Sequence, residues 1–213
     1  MKKLILSISL TACAVSVFSQ GTIVFGNHII GSVVAPIYGP NPANPAEGLL
    51  GNSADGYPPG TTVYPGAPLG TRPGDYLGDH LGTWTAELWG GVSANSLAPV
   101  AGADAPILTK GFFVTANTPV VIPGVPEGFP AFLQLRVWDN EGGTITSWAQ
   151  AIAADLFGLA QSAVFQSLPL GGLAPPPNMV GLTSFNIHWV PEPTTFALAG
   201  AGAALLLIFR RRK

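Results

Sequence analysis

Glycine and proline are so frequent in this chain that long helices do not fit most of its length. The 213 residues include 27 Gly and 21 Pro, and charged residues make up only 9%. Proline removes a helix hydrogen-bond donor, and glycine loses more conformational freedom on folding than other residues. This composition argues against a charge-rich helical bundle and against a basic nucleic-acid-binding protein. With 47% hydrophobic residues, the chain can still form a core.

Short β-prone segments separated by turns predict a mainly β body. Segments 83–89 and 131–138 alternate, which places every second side chain on one face. Strands are predicted at residues 22–26, 83–89, 112–115, 120–122, 131–138, 144–148, 163–167 and 182–189. Only segment 148–159 has partial helical register. We therefore expect an antiparallel β-sandwich or jelly roll.

Residues 36–76 are predicted to form a long Pro/Gly-rich loop within this body. Fragments such as Tyr-Pro-Pro-Gly at 57–60 favour turns and polyproline-like extended chain. Four tyrosines are interleaved with these fragments, namely Tyr38, Tyr57, Tyr64 and Tyr76. We expect them to anchor the loop onto the core, with a tyrosine-lined binding surface as the alternative.

The N-terminus has the three parts of a secretory signal peptide. Lys2 and Lys3 precede an apolar run that ends in small residues, which predicts a signal peptide at 1–19 and cleavage between Ser19 and Gln20. An uncleaved anchor is the alternative, but the apolar run is shorter than the ~20 residues of a membrane span. The exported domain is then predicted at 20–189, and the mature chain has no cysteine, so no disulfides. The sequence Leu-Thr-Ala-Cys at 10–13 also resembles a bacterial lipobox, which leaves lipidation of Cys13 as an alternative.

The C-terminus combines a short rigid motif, an apolar run and a basic end. The motif is Val190-Pro191-Glu192-Pro193, a transmembrane helix is predicted at 194–209, and the chain closes with Arg210, Arg211, Arg212 and Lys213. The four basic residues are expected to stay cytoplasmic and to hold the body outside. The run is short for a ~30 Å hydrocarbon core, so spanning would need thinning of the bilayer or snorkelling.

These features at 190–213 resemble the PEP-CTERM sorting signal of exported bacterial proteins. The resemblance implies recognition by an exosortase-type processing enzyme, cleavage near the Pro-Glu-Pro and delivery to the cell surface or extracellular matrix, often in bacteria that make exopolysaccharide. An ordinary single-span tail anchor is the alternative. The body is loosely similar to other PEP-CTERM proteins of unknown function, and this brings no activity with it.

The sequence contains few groupings that predict chemistry. A Gly-x-Ser-x-Gly elbow, a His-Glu-x-x-His helix and a phosphate-binding loop are absent. Two weak metal candidates are the group Asp75, Asp79 and His80, in a loop segment at 75–80, and the pair Asp139 and Glu141, in a predicted turn. Asp and Asn in such places equally serve turns, so we expect no catalytic residue, metal or cofactor. Glu87 could pair with Asp139 or Glu141 as hydrolase carboxylates, but the sequence does not favour any pair.

The charge distribution along the chain limits the classes of partner that the body is expected to bind. Both ends are basic, whereas the stretch between them holds all eleven acids and only three bases, Arg72, Lys110 and Arg136. An acidic body disfavours nucleic acid and anionic lipid surfaces as partners. We therefore predict an exported, membrane-anchored or exosortase-processed surface protein without enzymatic activity. The alternatives are a carbohydrate-binding module for exopolysaccharide, which the five Trp suggest, and a secreted hydrolase.

Overall fold

The computed structural model of the protein describes residues 20–41, 43–44, 46–51, 68–69, 84–109, 111–113, 119–154 and 158–188. Strands account for 47% and helices for 7% of these described residues, which confirms a mainly β body. The predicted signal peptide, the transmembrane helix and most of the 36–76 loop lie outside the described residues. Within the described ranges, no helix is long and apolar enough to cross a membrane.

The strands, in chain order, are β1 (Gln20–Val24), β2 (His28–Ile29), β3 (Val33–Val34), β4 (Ile37–Tyr38), β5 (Trp84–Gly91), β6 (Ala98–Thr109), β7 (Phe112–Phe113), β8 (Pro119–Pro126), β9 (Phe132–Asp139), β10 (Leu159–Gln161), β11 (Phe165–Gln166) and β12 (Phe185–Asn186). A 3₁₀ turn spans Glu141–Gly143, and one α-helix, α1, spans Trp148–Ala153.

A curled antiparallel sheet forms the centre of the body. Its order is β10-β9-β5-β6-β7, and β11 also pairs with β9. Strand β5 pairs with β9 over its whole length, from Trp84 opposite Asp139 to Gly91 opposite Phe132. This register agrees with the alternation predicted from the sequence. Ala86 and Leu88 of β5 and their partners on β9, Val137 and Leu135, lie on one face and are completely buried.

A second ribbon, β1 paired with β8, packs against the inner face of this sheet. A Cβ atom on Gly90 would lie 3.1 Å from Ile122 Cγ2, so glycine in β5 allows β8 to approach closely. Ile23 of β1, Ile122 of β8 and Leu88 of β5 belong to one buried cluster. Both layers therefore share a single hydrophobic core, and no disulfide is needed to join the described parts.

Two predicted elements are wrong in the region after β9. Residues 144–148 do not form a strand: Ser147 caps α1 through its side chain, and Thr146 N–H donates to Gln150 Oε1 at 2.8 Å. Local side-chain hydrogen bonds outweigh the β propensity of these residues. The helix predicted at 148–159 ends at Ala153, and Leu159 already begins β10 opposite Trp138.

The longest strand, β6, is missing from the predicted set. It contains Pro99, Gly102 and Pro106, which are turn signals in a sequence pattern. Gly102 has a φ of 71° and lies where the β5–β6 register shifts, so it forms an irregularity within a continuous strand. Proline is tolerated because, within the described ranges, β6 pairs with β7 only near its end, through Ile107 and Thr109.

The described start of the 36–76 segment is attached to the core. Strand β4 pairs in parallel with β12, and Leu50 forms a bridge with Phe185. Tyr38 is buried, in agreement with the predicted anchoring role, whereas Tyr57, Tyr64 and Tyr76 lie outside the described residues. This part of the segment is therefore a structural layer of the body.

Candidate functional site

The described chain ends at His188, two residues after strand β12 and two positions before the predicted sorting motif begins. Ile187 N–H donates to Tyr38 C=O at 2.9 Å, and Asn186 N–H donates to Leu49 C=O at 3.1 Å. His188 N–H donates to Leu159 C=O at 3.3 Å. Backbone hydrogen bonds to three separate segments thus hold residues 186–188 against the body. The predicted site residues Val190, Pro191, Glu192, Pro193, Arg210, Arg211, Arg212 and Lys213 lie outside the described residues.

The predicted N-terminal processing point also adjoins a core strand. Gln20 is exposed and begins β1, while Ser19 lies outside the described residues. A Cβ atom on Gly21 would lie 2.4 Å from Leu170 Cβ, so the backbone packs tightly just after Gln20. Cleavage between Ser19 and Gln20 would leave no extra residue before β1.

The acidic turn after β9 serves local structure. Asp139 Oδ1 accepts a hydrogen bond from Glu141 N–H at 2.9 Å, and Asn140 Oδ1 accepts one from Gly143 N–H at 2.9 Å. Asn140 Nδ2 also donates to Thr85 Oγ1 at 2.9 Å, which links the turn to β5. These contacts are the turn chemistry of Asp and Asn. No group of three potential metal-ligating residues occurs among the described residues, and Asp75, Asp79 and His80 lie outside them.

A polar and aromatic cluster lies on the outer face of the sheet. Arg136 Cζ lies 3.6 Å from the centre of the Trp89 ring and 5.4 Å from that of Trp148. Trp89 Nε1–H donates to Glu87 Oε2 at 2.6 Å, and Arg136 Nε–H donates to Gln134 Oε1 at 3.0 Å. Arg136 is the one Lys or Arg among the described residues. Its stacking on Trp89 is a cation–π contact that helps hold α1, through Trp148, against the sheet.

This cluster was not predicted from the sequence. Alternation in 83–89 and 131–138 does place Glu87 with Trp89, and Gln134 with Arg136, on the outer faces of their strands. Their meeting depends on register, which sets Glu87 opposite Arg136 and Trp89 opposite Gln134. A sequence pattern shows which side chains of a strand share a face, but it does not show which strand lies beside them.

The cluster predicts a pH dependence of stability. Burial raises the pKa of Glu87 above its ordinary value of 4.5, and the hydrogen bond from Trp89 opposes the shift. The folded state therefore favours the protonated carboxyl, and this stabilisation is lost as the pH rises through the raised pKa. When the pH is raised from about 4 to about 7, we expect the free energy of unfolding to fall less in the Glu87→Gln variant than in the wild type. Urea unfolding at both pH values measures this, and parallel losses in the two proteins would contradict it.

The carboxylates considered for hydrolysis do not share one face. Glu87 lies opposite Arg136, and Trp84 lies opposite Asp139, so Glu87 and Asp139 are on opposite faces of the sheet. Glu141 takes a φ of 49° in the turn beyond the strand. The β5–β9 register thus separates the Glu87–Asp139 pair.

The described tryptophans do not form an exposed row. Trp84, Trp138 and Trp148 are buried, and Trp89 is half-buried beneath Arg136. Trp138 packs with Trp148 and Ala151 in a smaller apolar cluster outside the main core. Its Nε1–H donates to Ile145 C=O at 3.1 Å, so its polar atom has a partner there. The guanidinium covers one face of the Trp89 ring, and ring faces are the surfaces on which sugars stack. Trp189 lies outside the described residues.

The two described histidines, His28 and His188, each contact a neighbouring residue through the ring. His28 stacks on Phe112 with ring centres 4.2 Å apart. Burial lowers the pKa of His188, whose ring packs near Gly48. His80 lies outside the described residues.

Comparison with known proteins identifies one functional element. The sequence model of the PEP-CTERM protein-sorting motif matches residues 190–213. No curated protein matches the chain, and no solved structure matches it. The match begins two residues after His188, the last described residue.

Proposed function

Because the chain carries a PEP-CTERM protein-sorting motif at residues 190–213, we propose that it is an exported protein delivered to the cell surface or extracellular matrix. In this proposal the signal peptide at 1–19 directs export, and the tail holds the protein in the membrane until an exosortase-type enzyme removes it. The β body is the product and has no enzymatic activity. The match at 190–213 is the observation that carries the proposal.

Two further features support this route. The basic residues Lys2 and Lys3 and the basic tail 210–213 flank a stretch that holds all the acids, and this arrangement favours an exported body with both basic ends at the cytoplasmic side. The body also shares one core between its layers without a disulfide. Packing alone would therefore hold it together after release.

The mass of the mature protein tests both processing steps. We expect the mature chain to begin at Gln20 and to lack the tail. A terminal glutamine cyclises when its amine attacks the side-chain amide, so the mass should also fall by one ammonia. Intact-mass analysis and sequencing of the terminal peptides of protein from its own host measure this. A full-length tail would contradict processing, and a lipid on Cys13 would contradict the proposed cut.

An extracellular polysaccharide remains a proposed partner. The described residues favour it less than the alternative of a structural surface protein, since Trp89 is the one described tryptophan with a partly exposed ring. Co-sedimentation of the released body with exopolysaccharide from the same cells would detect such binding.

A further inference from the structure

The last described strand, β12, holds the chain through more than backbone pairing. The Asn186 side chain is buried: Nδ2 donates to Glu47 C=O at 3.1 Å, and Oδ1 accepts a hydrogen bond from Leu49 N–H. Its neighbours Phe185 and Ile187 are 1% and 0% exposed in the main core. Pulling this strand away would expose both apolar side chains and break the amide contacts together.

The contacts that hold the chain against the body continue to His188, the final described residue. His188 bridges Leu159 of β10, and a Cβ atom on Gly48 would lie only 3.1 Å from His188 Nδ1. Only Trp189 separates this tethered residue from the start of the motif at Val190. Residues 189–191 can reach at most about 11 Å when fully extended. The body therefore lies close to any enzyme acting at the Pro-Glu-Pro.

We propose that the folded body limits access to the sorting motif, so that the processing enzyme can take up only the chain beyond His188. Enzymes that act on peptides commonly bind an extended segment, and β12 cannot supply that segment without leaving the core. The cut then falls beyond His188, and the released body keeps β12. In hydrolysis the amide bond breaks, water adds hydroxyl to the body's new carboxyl, and the tail receives the proton on its new amine. This inference rests on the proposed function.

A linker insertion tests this restriction. We would insert Gly-Ser-Gly-Ser between Trp189 and Val190 of the full chain and follow tail removal by pulse–chase in the host that carries the enzyme. The inserted residues give the enzyme more chain outside β12, so tail removal should be several-fold faster. The matched control carries the same insertion after Ala94, in the exposed turn between β5 and β6, and should be processed at the wild-type rate.

The outcomes separate this inference from the proposed function. Absence of tail removal in the wild type would contradict the proposed function itself. Normal removal in the wild type, with no acceleration by the linker, would overturn only the restriction by the body. A wild-type product that ends at or before His188, found by C-terminal peptide mass, would also overturn it.

Discussion

Deletion of residues 196–213 is expected to transfer the protein from the membrane fraction to the soluble exported fraction almost completely. This segment contains the uncharged run 196–209 and the four terminal basic residues. As a helix the run would be about 21 Å long, which allows a weak span assisted by snorkelling arginines. Cell fractionation followed by immunoblotting measures the transfer.

A second variant separates anchoring from processing. Replacing Pro191, Glu192 and Pro193 together by alanine leaves the apolar run and basic end unchanged. This protein should stay in the membrane fraction at full precursor length, because the anchor persists and the enzyme loses its motif. If the tail deletion instead remains membrane-bound, the anchor lies elsewhere, and a lipid on Cys13 becomes the first candidate.

The Asn27→Ala variant is expected to lower the free energy of unfolding of the body by about 3–5 kcal/mol. Asn27 is 0% exposed, and its Nδ2 donates to Ala35 C=O at 2.9 Å and to Gly111 C=O at 3.0 Å. Its Oδ1 accepts from Phe113 N–H at 3.1 Å. Alanine would leave buried backbone groups without these partners, and water could not easily replace them.

Urea unfolding of the secreted form lacking residues 196–213, followed by tryptophan fluorescence, measures this loss. Asn95→Ala is a matched control, because Asn95 is exposed in the turn between β5 and β6. It should change stability by no more than about 0.5 kcal/mol. Equal effects of the two substitutions would contradict the role of Asn27 as a buried link between the segments around β3 and β7.

The sequence predicted the fold best where an element's pattern depends on its own residues. The alternation in 131–138 was confirmed, because Leu133, Leu135 and Val137 lie on one face of β9 and are completely buried in the main core. Strand β6 could not be found in the same way, since its prolines and Gly102 are typical of turns. The sequence does not show that β6 has few backbone pairs with its described neighbour β7, which is what makes proline tolerable there. The strand predicted at 144–148 was wrong for the opposite reason, because local helix capping outweighed the β propensity of these residues.

The same distinction applies to the candidate sites. The sorting motif is a continuous stretch, so residues 190–213 were identified from their order alone. The Glu87–Trp89–Arg136 cluster joins two strands about fifty residues apart, and its contacts depend on the register between β5 and β9. The separation of Glu87 from Asp139 by the sheet depends on that register too.

By itself, the sequence determined that this is a mainly β protein with a PEP-CTERM sorting motif, because composition, alternation and a contiguous motif are properties of neighbouring residues. Only the tertiary structure decided how that motif is connected to the body. Tyr38, Leu49 and Leu159 are distant in the chain, yet their carbonyls hold residues 186–188. Long-range packing therefore holds His188, the final described residue, against the body two positions before the motif begins, which no local pattern could reveal.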